Sequence, residues 1–290
     1  MSGIAGPTVI GVLGIGQMGG GVAADLKASG FDVVSTLEGR SDRTRERAER
    51  AGVRLLPALR DVVAACDTFL SIVAADQAEG LADAVAAAVN GRPLHFVDCN
   101  SITPSKTLRI AERVQAAGAT FSDGGIIGPP PGGRSKTRLY VSGPSSDVLL
   151  ALQSEHMPVI HLGDGLSQAT EMKVLFAAAN KGATALLTNV LAAAKRAGLL
   201  ERVVGELDTV RPGLLGCVRA AAPELADKAA RWAIEMEDIS QGLREMHAHG
   251  GYHAAAADGY RALAANLADA EAEGDPLDRI LDAWIGIGRV

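Results

Sequence analysis

The feature that most constrains how this sequence can fold is a cluster of glycines directly after an apolar run. Six glycines lie between Gly11 and Gly21, in the segment VIGVLGIGQMGGGVAADLKASG that begins at residue 9. Glycine loses more conformational freedom on folding than any other residue. Such a cluster therefore indicates a backbone requirement at the point where a predicted strand ends and a predicted helix begins.

Three of these glycines, Gly14, Gly16 and Gly19, have the spacing G-x-G-x-x-G. In a dinucleotide-binding turn the first permits the tight turn, the second lets the backbone approach a diphosphate, and the third lets the helix lie close to the strand. Without its flanking strand and helix the spacing would fit a flexible loop equally well. Here it predicts that a dinucleotide is held by Gly14, Ile15, Gly16, Gln17, Met18 and Gly19.

Up to about residue 160, short apolar runs alternate with amphipathic stretches. The predicted strands are 9–13, 32–36, 68–73, 94–99, 120–123, 138–141 and 159–161, and the predicted helices are 18–29, 42–51, 58–65, 77–89, 104–117 and 146–154. Strands rich in Val, Ile and Leu are typical of sheets covered on both faces, and the strand–helix alternation predicts right-handed parallel crossovers. The predicted fold class is therefore α/β, with a Rossmann-like, doubly wound and mostly parallel sheet.

Beyond about residue 162 the strand–helix alternation stops. A helix of about thirty residues is predicted at 167–197, and the segments VRPGLLG (210–216), AAPEL (221–225) and HGGYH (249–253) are predicted to separate later helices. The long helix is apolar on most sides, which indicates burial all round. We predict a dinucleotide-binding domain at 1–163 and an all-α domain at 164–290 for substrate binding and dimerisation.

Charge and cysteine usage exclude several classes of protein. The formal net charge is −6, so there is no surplus of Lys and Arg to neutralise nucleic-acid phosphates. The three cysteines, Cys66, Cys99 and Cys217, form no CxxC pair, which is typical of reduced thiols in the cytoplasm. The opening MSGIAGPT lacks the features of a secretion signal, and no uninterrupted apolar run approaches the ~18 residues of a membrane span. A soluble cytoplasmic protein is expected.

The segment STLEGRSDRTR (35–45), after the second predicted strand, lies where a dinucleotide's adenosine ribose would be. Glu38 would accept hydrogen bonds from the ribose hydroxyls of NAD. Arg40 and Ser41, with Arg43, would instead bind the additional phosphate of NADP. These residues are equally consistent with an exposed helix start. We favour NADP, with NAD as the alternative.

Other segments extend the pattern beyond the glycine turn. GVLGIGQMGGGVAADLKASG (11–30) carries G-x-x-G-x-G-x-M-G, EGRS (38–41) follows the second strand, and VDCNSITP (97–104) and FSDGGIIGPPPGG (121–133) follow later strands. Together they resemble the β-hydroxyacid dehydrogenase superfamily, whose corresponding segments are Asn-Arg-Thr, D-x-S-T-x-x-P and D-A-P-V-S-G-G. The superfamily includes 3-hydroxyisobutyrate dehydrogenases and the N-terminal part of 6-phosphogluconate dehydrogenase. The resemblance covers the whole chain, is strongest in the first 120 residues, and is closest to a subgroup with a short helical C-terminal domain.

The resemblance implies an oxidoreductase that moves a hydride between a nicotinamide and a carbon bearing a hydroxyl. Lys173 lies where the family has its catalytic lysine, which handles the hydroxyl proton. A lysine removed from water beside a cationic ring can act as a base near neutrality. Otherwise a lone lysine in an apolar helix extends its amine to solvent. The family also implies cofactor contacts at Val73, Ala74 and Asn100.

The substrate contacts implied by the resemblance come from several segments. They are Asn100, Ser101, Ile127, Gly128, Pro129, Asn180, Met236 and Ser240, the last two from either chain of a homodimer. Ser101 is equally well explained as a helix cap. A homodimer through the C-terminal helices is expected because relatives close their site in this way and because the long apolar helix needs a partner surface.

The chain departs from the family at three places. Ala177 stands where many members have Asn, and Asn180, about 10 Å further along the helix axis, cannot replace it directly. Pro129 interrupts a segment that normally offers amides to a substrate carboxylate, and proline has no N–H. Asn100-Ser101 replaces Ser-Thr. We therefore expect a small polar substrate whose carboxylate, if present, is placed differently.

Two alternatives remain open. Imine reductases have a similar fold but usually carry Asp or Tyr where this chain has Lys173, and a cofactor-binding protein with a decayed substrate site would also fit the departures. His247, His249 and His253 are close in sequence, but no carboxylate or cysteine accompanies them nearby, so no metal is predicted.

Overall fold

The computed structural model describes residues 8–39, 41–132, 137–268 and 274–286. In the N-terminal region the strands are β1 Val9–Leu13, β2 Asp32–Thr36, β3 Arg54–Leu56, β4 Thr68–Ser71, β5 His95–Asp98, β6 Thr120–Ile127, β7 Arg138–Ser142 and β8 Val159–His161. The helices are α1 Gln17–Ala28, α2 Asp42–Arg50, α3 Leu59–Ala65, α4 Ala78–Ala88 and α5 Pro104–Ala116, with a 3₁₀ helix at Ser146–Leu152.

All eight strands form one sheet in the order β3-β2-β1-β4-β5-β6-β7-β8. Neighbouring strands are parallel except for β6 and β7. Because β1 pairs with β2 on one side and β4 on the other, the strand order reverses there. In open sheets of this kind ligands bind beyond the carboxyl ends of the strands at the reversal. The predicted doubly wound, mostly parallel sheet is confirmed.

The sheet is covered on both faces. On one face the stacked rings of Phe69, Phe96 and Phe121 run across β4, β5 and β6, with ring centroids 5.6 and 6.4 Å apart. On the other face Leu70 and Val97, next in sequence, belong to a separate buried cluster. Adjacent residues on a strand point to opposite faces, which explains why β4 and β5 are buried at every position.

Two elements of the structure depart from the predicted ones, each for a physical reason. The edge strand β3 was missed because it has three residues and begins with an exposed arginine. The prediction that AAPEL separates two helices is wrong, since Pro223 lies inside one continuous helix, α8 Gly216–Glu245. Pro223 is on the exposed side of this helix, whereas Val218, Ala222 and Leu225 are buried on its other side. That apolar packing outweighs the hydrogen bond lost at proline.

The C-terminal region is helical throughout the residues that the structure describes. It contains α6 Gln168–Arg196, α7 Leu200–Val210, α8, α9 Gly251–Ala268 and α10 Pro276–Ile285. The chain divides into compact units between Lys173 and Val174, whereas the sequence placed the boundary near residue 163. In the second unit Tyr260 packs edge-on against both Trp232 and Trp284, with centroids 5.4 and 5.7 Å away.

By length and composition alone, α6 could cross a membrane, since its most apolar window has a mean hydropathy of 1.3. Core helices of soluble proteins pass the same test. The first residues of α6 are bonded to the sheet of the first unit, and Val174, Ala178 and Leu191 belong to the core of the second. These contacts are those of a helix packed within protein.

Candidate functional site

The glycine turn after β1 is built as the spacing predicts. Gly14 has a φ of +96°, and a Cβ there would lie 2.1 Å from the carbonyl oxygen of Ile72. A Cβ at Gly19 would lie 2.1 Å from the carbonyl oxygen of Gly14. At Gly16, by contrast, the nearest such atom is 3.9 Å away, and the residue is exposed. Gly14 and Gly19 are therefore required by the chain itself, whereas Gly16 leaves space on an open surface.

Helix α1 begins at this turn without neutralising groups of its own. Gly16 is its N-cap, no side chain caps it, and its first turn contains no acidic residue. The first amides of a helix lack partners within the helix, and its dipole attracts anions. Gln17 is exposed and Met18 half-buried, while the side chain of Ile15 lies in the core. The turn can bind a diphosphate through its backbone.

A cavity of about 450 Å³ lies at the carboxyl end of β2. It is lined by Leu37, Glu38, Arg45, Leu55, Leu56 and Pro57. The predicted Glu38 lines this cavity, and its contact with an adenosine ribose stays a prediction. Ser41 is the N-cap of α2, and its hydroxyl lies 3.2 Å from that of Thr44. The predicted Arg40 lies outside the described residues. Arg45, the last residue of the segment STLEGRSDRTR, was not among the cofactor contacts predicted from sequence.

Asn100 joins the ends of β4 and β5. Its Oδ1 accepts a hydrogen bond from the amide of Val73 at 2.6 Å, and its Nδ2 donates to the hydroxyl of Ser71 at 2.8 Å. The residue is buried, while Ala74 and Ser101 nearby are exposed. These bonds explain an amide side chain at position 100 independently of any ligand. Its contacts with cofactor and substrate stay predictions.

Ser101 does not cap α5. The N-cap of that helix is Thr103, whose hydroxyl lies 3.1 Å from that of Ser105. The alternative explanation of Ser101 as a helix cap is therefore wrong, and its exposed hydroxyl stands at the carboxyl end of the sheet.

Lys173 reaches the same edge of the sheet from α6. Its Nζ donates to the backbone carbonyls of Cys99 at 3.4 Å and Asn100 at 3.3 Å, directly after β5. The side chain is half-buried. An amine held by two carbonyls beside the carboxyl end of the sheet is placed to donate a proton or, when neutral, to accept one.

Two buried aspartates lie on neighbouring strands, and sequence reasoning gave neither a role: Asp98 is the last residue of β5, and Asp123 lies within β6. Asp98 and Asp123 are paired in the register of β5 and β6. Burial raises the pKa of Asp98 to about 6, against the opposing effects of its Asn100 bond and the positive charge of Lys173. Burial also raises the pKa of Asp123 to about 7, and the charge of Asp98 adds to that rise. The available signal was their position at or next to the ends of the strands predicted at 94–99 and 120–123.

The segment after β6 differs from a simple anion cradle. Ile127 belongs to the buried core, Gly128 has a φ of +124°, and Pro129 is exposed. The prolines that follow pack on α1, since a Cβ at Gly21 would lie 2.8 Å from the Cβ of Pro130. This approach explains a glycine that the dinucleotide spacing does not require. Among these three residues only Ile127 and Gly128 have an amide to offer a substrate anion.

The residues predicted in the helical region have packing explanations there. Met236 is fully buried in the helical core, and the buried Ser240 donates to the carbonyl of Gly250 at 2.9 Å. Asn180 is exposed on α6. Their role in binding substrate stays a prediction, which burial disfavours for Met236 and Ser240. In the part of the chain that the structure describes, no three His, Cys, Asp or Glu side chains are grouped to hold a metal.

A doubly wound sheet with an open glycine turn at its strand reversal defines the class of dinucleotide-binding proteins. A family model for the NAD-binding domain of 6-phosphogluconate dehydrogenase matches residues 9–153, and one for a domain of unknown function matches 194–263. The chain belongs to this NAD-binding family, within the β-hydroxyacid dehydrogenase superfamily and with a C-terminal helical domain. The NAD-binding domain supports a nicotinamide cofactor, and the similar proteins support an oxidoreductase class of activity.

Similar proteins agree with this placement. The 3-hydroxyisobutyrate dehydrogenase of Pseudomonas aeruginosa is 29% identical over 164 residues, which are 54% of each chain. A conserved protein of unknown function, described as structurally similar to 3-hydroxyacid dehydrogenases, is 26% identical with a TM-score of 0.69 and covers 87% of this chain and 96% of its own. The imine reductase of Myxococcus stipitatus, solved with NADP+, is 19% identical with a TM-score of 0.59 and covers 96% and 100%, which shows the fold alone.

Proposed function

We propose that this chain catalyses hydride transfer between a nicotinamide cofactor and a hydroxyl or carbonyl carbon of a small polar substrate. The observation that carries the proposal is the place of Lys173, whose Nζ lies against the carbonyls of Cys99 and Asn100 at the carboxyl end of β5. That edge also carries the glycine turn after β1. The nicotinamide cofactor, when bound, would supply or take up the hydride.

Lys173 would supply the proton chemistry. As an ammonium it carries a positive charge and N–H donors at the carboxyl end of β5, where the substrate oxygen would be bound. In reduction it would give a proton to the developing alkoxide, and in oxidation the neutral amine would take the hydroxyl proton. The exposed Ser101 would orient the polar substrate.

The proline at position 129 limits the substrate. Because it has no N–H, the segment after β6 offers fewer donors to a carboxylate than the Ser-Gly-Gly segment of the family. We therefore favour a substrate whose reacting carbon bears a hydroxyl or carbonyl but whose anionic group, if any, lies elsewhere.

The purified protein, mixed with NADPH or NADH, tests this directly against β-hydroxyacids, alcohols, aldehydes and cyclic imines, followed at the nicotinamide absorbance band. Turnover of hydroxyl or carbonyl compounds that depends on Lys173 supports the proposal. Turnover of imines alone would assign the chain to the imine reductases, whose fold it shares. Tight cofactor binding without turnover on every compound would indicate a binding protein with a decayed substrate site.

For the cofactor we propose NADP rather than NAD, and Arg45 is the residue that supports it. Arg45 lines the cavity at the end of β2, where a phosphate on the adenosine ribose would be near its positive charge. Glu38 lines the same cavity and would suit NAD.

Arg45→Ala should weaken NADPH binding by about ten-fold or more and leave NADH binding little changed, since a charge-assisted hydrogen bond contributes about 1.5–3 kcal/mol. Both affinities are measured by titrating the protein with each cofactor and following the quenching of tryptophan fluorescence or the energy transfer from tryptophan to the nicotinamide. Arg50→Ala is the matched control, because Arg50 lies at the other end of α2 and donates to the carbonyl of Glu46. An equal loss for both cofactors would contradict the NADP assignment, and Arg40→Ala extends the test to the residue named from sequence.

We also propose a cytoplasmic location, supported by the cysteines. Cys66 and Cys99 are free and buried, and Cys217 is free. Free buried thiols suit a reducing compartment. Fractionation of cells producing the protein tests this, and recovery in an oxidising compartment or with membranes would contradict it.

A homodimer through the helical region is supported by the outer face of α6, formed by Leu175, Phe176, Leu186 and Val190. These large apolar side chains are 39% to 50% exposed. At 100° per residue, Leu175, Leu186 and Val190 lie within about 60° of one another around the helix. An apolar stripe of this length on a soluble chain is typical of an association surface, and a second copy would bury it symmetrically.

Replacing Leu186 and Val190 together by glutamate should convert the dimer to a monomer, because two charges would be buried in an apolar interface. Light scattering after size-exclusion chromatography measures the mass. Leu108→Glu is the control, since Leu108 is a similarly exposed leucine on α5 in the other unit. A wild-type monomer, or a double variant that stays dimeric, would contradict the proposal.

A further inference from the structure

The first turn of α6 is held down on the sheet by groups from outside the helix. A Cβ at Gly125 of β6 would lie 2.5 Å from the carbonyl oxygen of Ala169, so the helix start rests directly on the strand. The hydroxyl of Ser167, the natural candidate for a cap, instead donates to Glu171 at 2.8 Å. The first amides of α6 must therefore find acceptors elsewhere.

The sheet supplies those acceptors through Asp123 and Ser142. Asp123 accepts the amide of Thr170 at Oδ2 and its hydroxyl at Oδ1, both at 2.7 Å. Ser142 accepts the amide of Ala169 at 3.1 Å and is 3.5 Å from Asp123. Asp123 and Ser142 are cross-strand partners in β6 and β7. A neighbouring pair of strands thus caps the helix, and both side chains are fully buried.

Asp98 fixes the other half of the Lys173 contact. Its Oδ1 accepts the amide of Asn100 at 2.8 Å, which holds the backbone whose carbonyl then accepts from Lys173. Asp123 holds the helix that carries the lysine, and Asp98 holds the loop that it reaches. Thr170 and Lys173 are three residues apart and so share one face of α6.

We propose that Asp123 is a positioning residue for Lys173: by capping α6 from the sheet it sets where the ε-amino group stands at the end of β5. This inference rests on the proposed role of Lys173. The Asp123 carboxylate accepts two hydrogen bonds from Thr170. Loss of that carboxylate would therefore release the helix turn immediately before the lysine. Because Lys173 lies one turn further on, a small shift there displaces the amine from the carbonyls of residues 99 and 100.

The test compares Asp123→Asn, which keeps the shape of the side chain but has one acceptor fewer, with wild type. The kcat for an active substrate should fall by on the order of ten-fold or more, since misplacing a reacting group by about 1 Å can cost up to about a hundred-fold. The KM and the affinity for NAD(P)H should change little. That division between kcat and KM distinguishes a positioning role from general loss of folded protein.

A second readout does not require activity. Reductive methylation at limiting reagent, followed by mass spectrometry of the peptides, measures the reactivity of Lys173 relative to Lys106, a half-buried lysine of α5 in the same unit. Release of Lys173 from its two carbonyls should raise its relative labelling several-fold in Asp123→Asn. This measurement holds even if no substrate in the panel is turned over.

A matched pair at Thr170 guards against a misfolded Asp123 variant. Thr170→Val removes the hydroxyl that donates to Asp123 and keeps the shape, whereas Thr170→Ser keeps the hydroxyl. We expect the valine variant to show the lower kcat and raised labelling, and the serine variant to restore both. Unchanged kcat and labelling in Asp123→Asn and Thr170→Val would overturn the inference. If Lys173→Ala itself left turnover intact, the proposed function would fail instead.

Discussion

Lys173→Ala should lower turnover by about 10²- to 10⁴-fold, the usual contribution of a positioned acid–base group. Cofactor affinity should be retained, because the glycine turn and the cavity at the end of β2 lie on other elements. In the variant the backbone carbonyls of Cys99 and Asn100 lose the hydrogen bonds from Lys173, and water can replace that donor. The measurement is steady-state turnover of the best substrate, with NAD(P)H binding followed separately.

Lys181→Ala is the matched control for this experiment. Lys181 is a second half-buried lysine of α6, but its amine pairs with Glu235 and lies 5.6 Å from the ring centre of Trp232. Those partners explain it within the helical region, so we expect turnover to be kept in its alanine variant. Loss of turnover in Lys181→Ala with full activity in Lys173→Ala would reverse the assignment. Lys173→Met, which keeps most of the side-chain volume, separates loss of the amine from loss of packing.

The sheet of the N-terminal region could be predicted from sequence because its signals are local. Short segments with adjacent apolar residues mark β1, β2, β4 and β5, and the structure places the ends of each within two residues of the prediction. The glycine spacing is a local signal too, since Gly19 is crowded by the carbonyl oxygen of Gly14 within the same turn. Information of this kind is contained in a short window of residues.

The side chains that support the site, Asn100 and Asp123, could not be predicted to do so, because their hydrogen-bond partners are distant in sequence. Asp123 bonds to Thr170, 47 residues away, and Asn100 bonds to Val73, 27 residues away. Nothing near either side chain in sequence indicates that bond. The helical region shows the converse problem, since Pro223 is a local signal for a break that tertiary packing overrides.

The supporting groups also change how the departures from the family should be understood. Asn100 replaces a serine of the family motif, yet its two bonds join β4 to β5. Ile127-Gly128-Pro129 replaces the Ser-Gly-Gly of the family, yet the two prolines that follow pack on Gly21 of α1. Both substitutions have a structural partner in this chain. A decayed site would lack such structural partners. The two substitutions are therefore consistent with a site rebuilt for another substrate.

The glycines of the turn allow a final experiment that distinguishes a glycine required for folding of the chain from one required for cofactor binding. Gly14 and Gly30 have nearly equal φ values, +96° and +94°, but only at Gly14 would a Cβ strike a backbone atom, whereas at Gly30 nothing lies within 4 Å. Both alanine variants share the cost of a left-handed residue, about 1–2 kcal/mol. Gly14→Ala should in addition displace the end of β4 and abolish cofactor binding, while Gly30→Ala should bind NAD(P)H normally.

Gly16→Ala is the decisive member of this set. Gly16 has a φ of −77°, which alanine adopts readily, and its Cβ would meet no atom of the chain closer than 3.9 Å. The midpoint temperature of thermal unfolding of the variant should therefore lie within a few degrees of that of wild type. Surface substitutions without a steric conflict usually change the free energy of unfolding by less than about 0.5 kcal/mol. If a diphosphate lies against this backbone, NAD(P)H affinity should nevertheless fall by about ten-fold or more, equivalent to about 1.4 kcal/mol. Thermal unfolding and cofactor titration measure the two quantities on one sample, and an unchanged affinity would mean that the dinucleotide binds somewhere other than this turn.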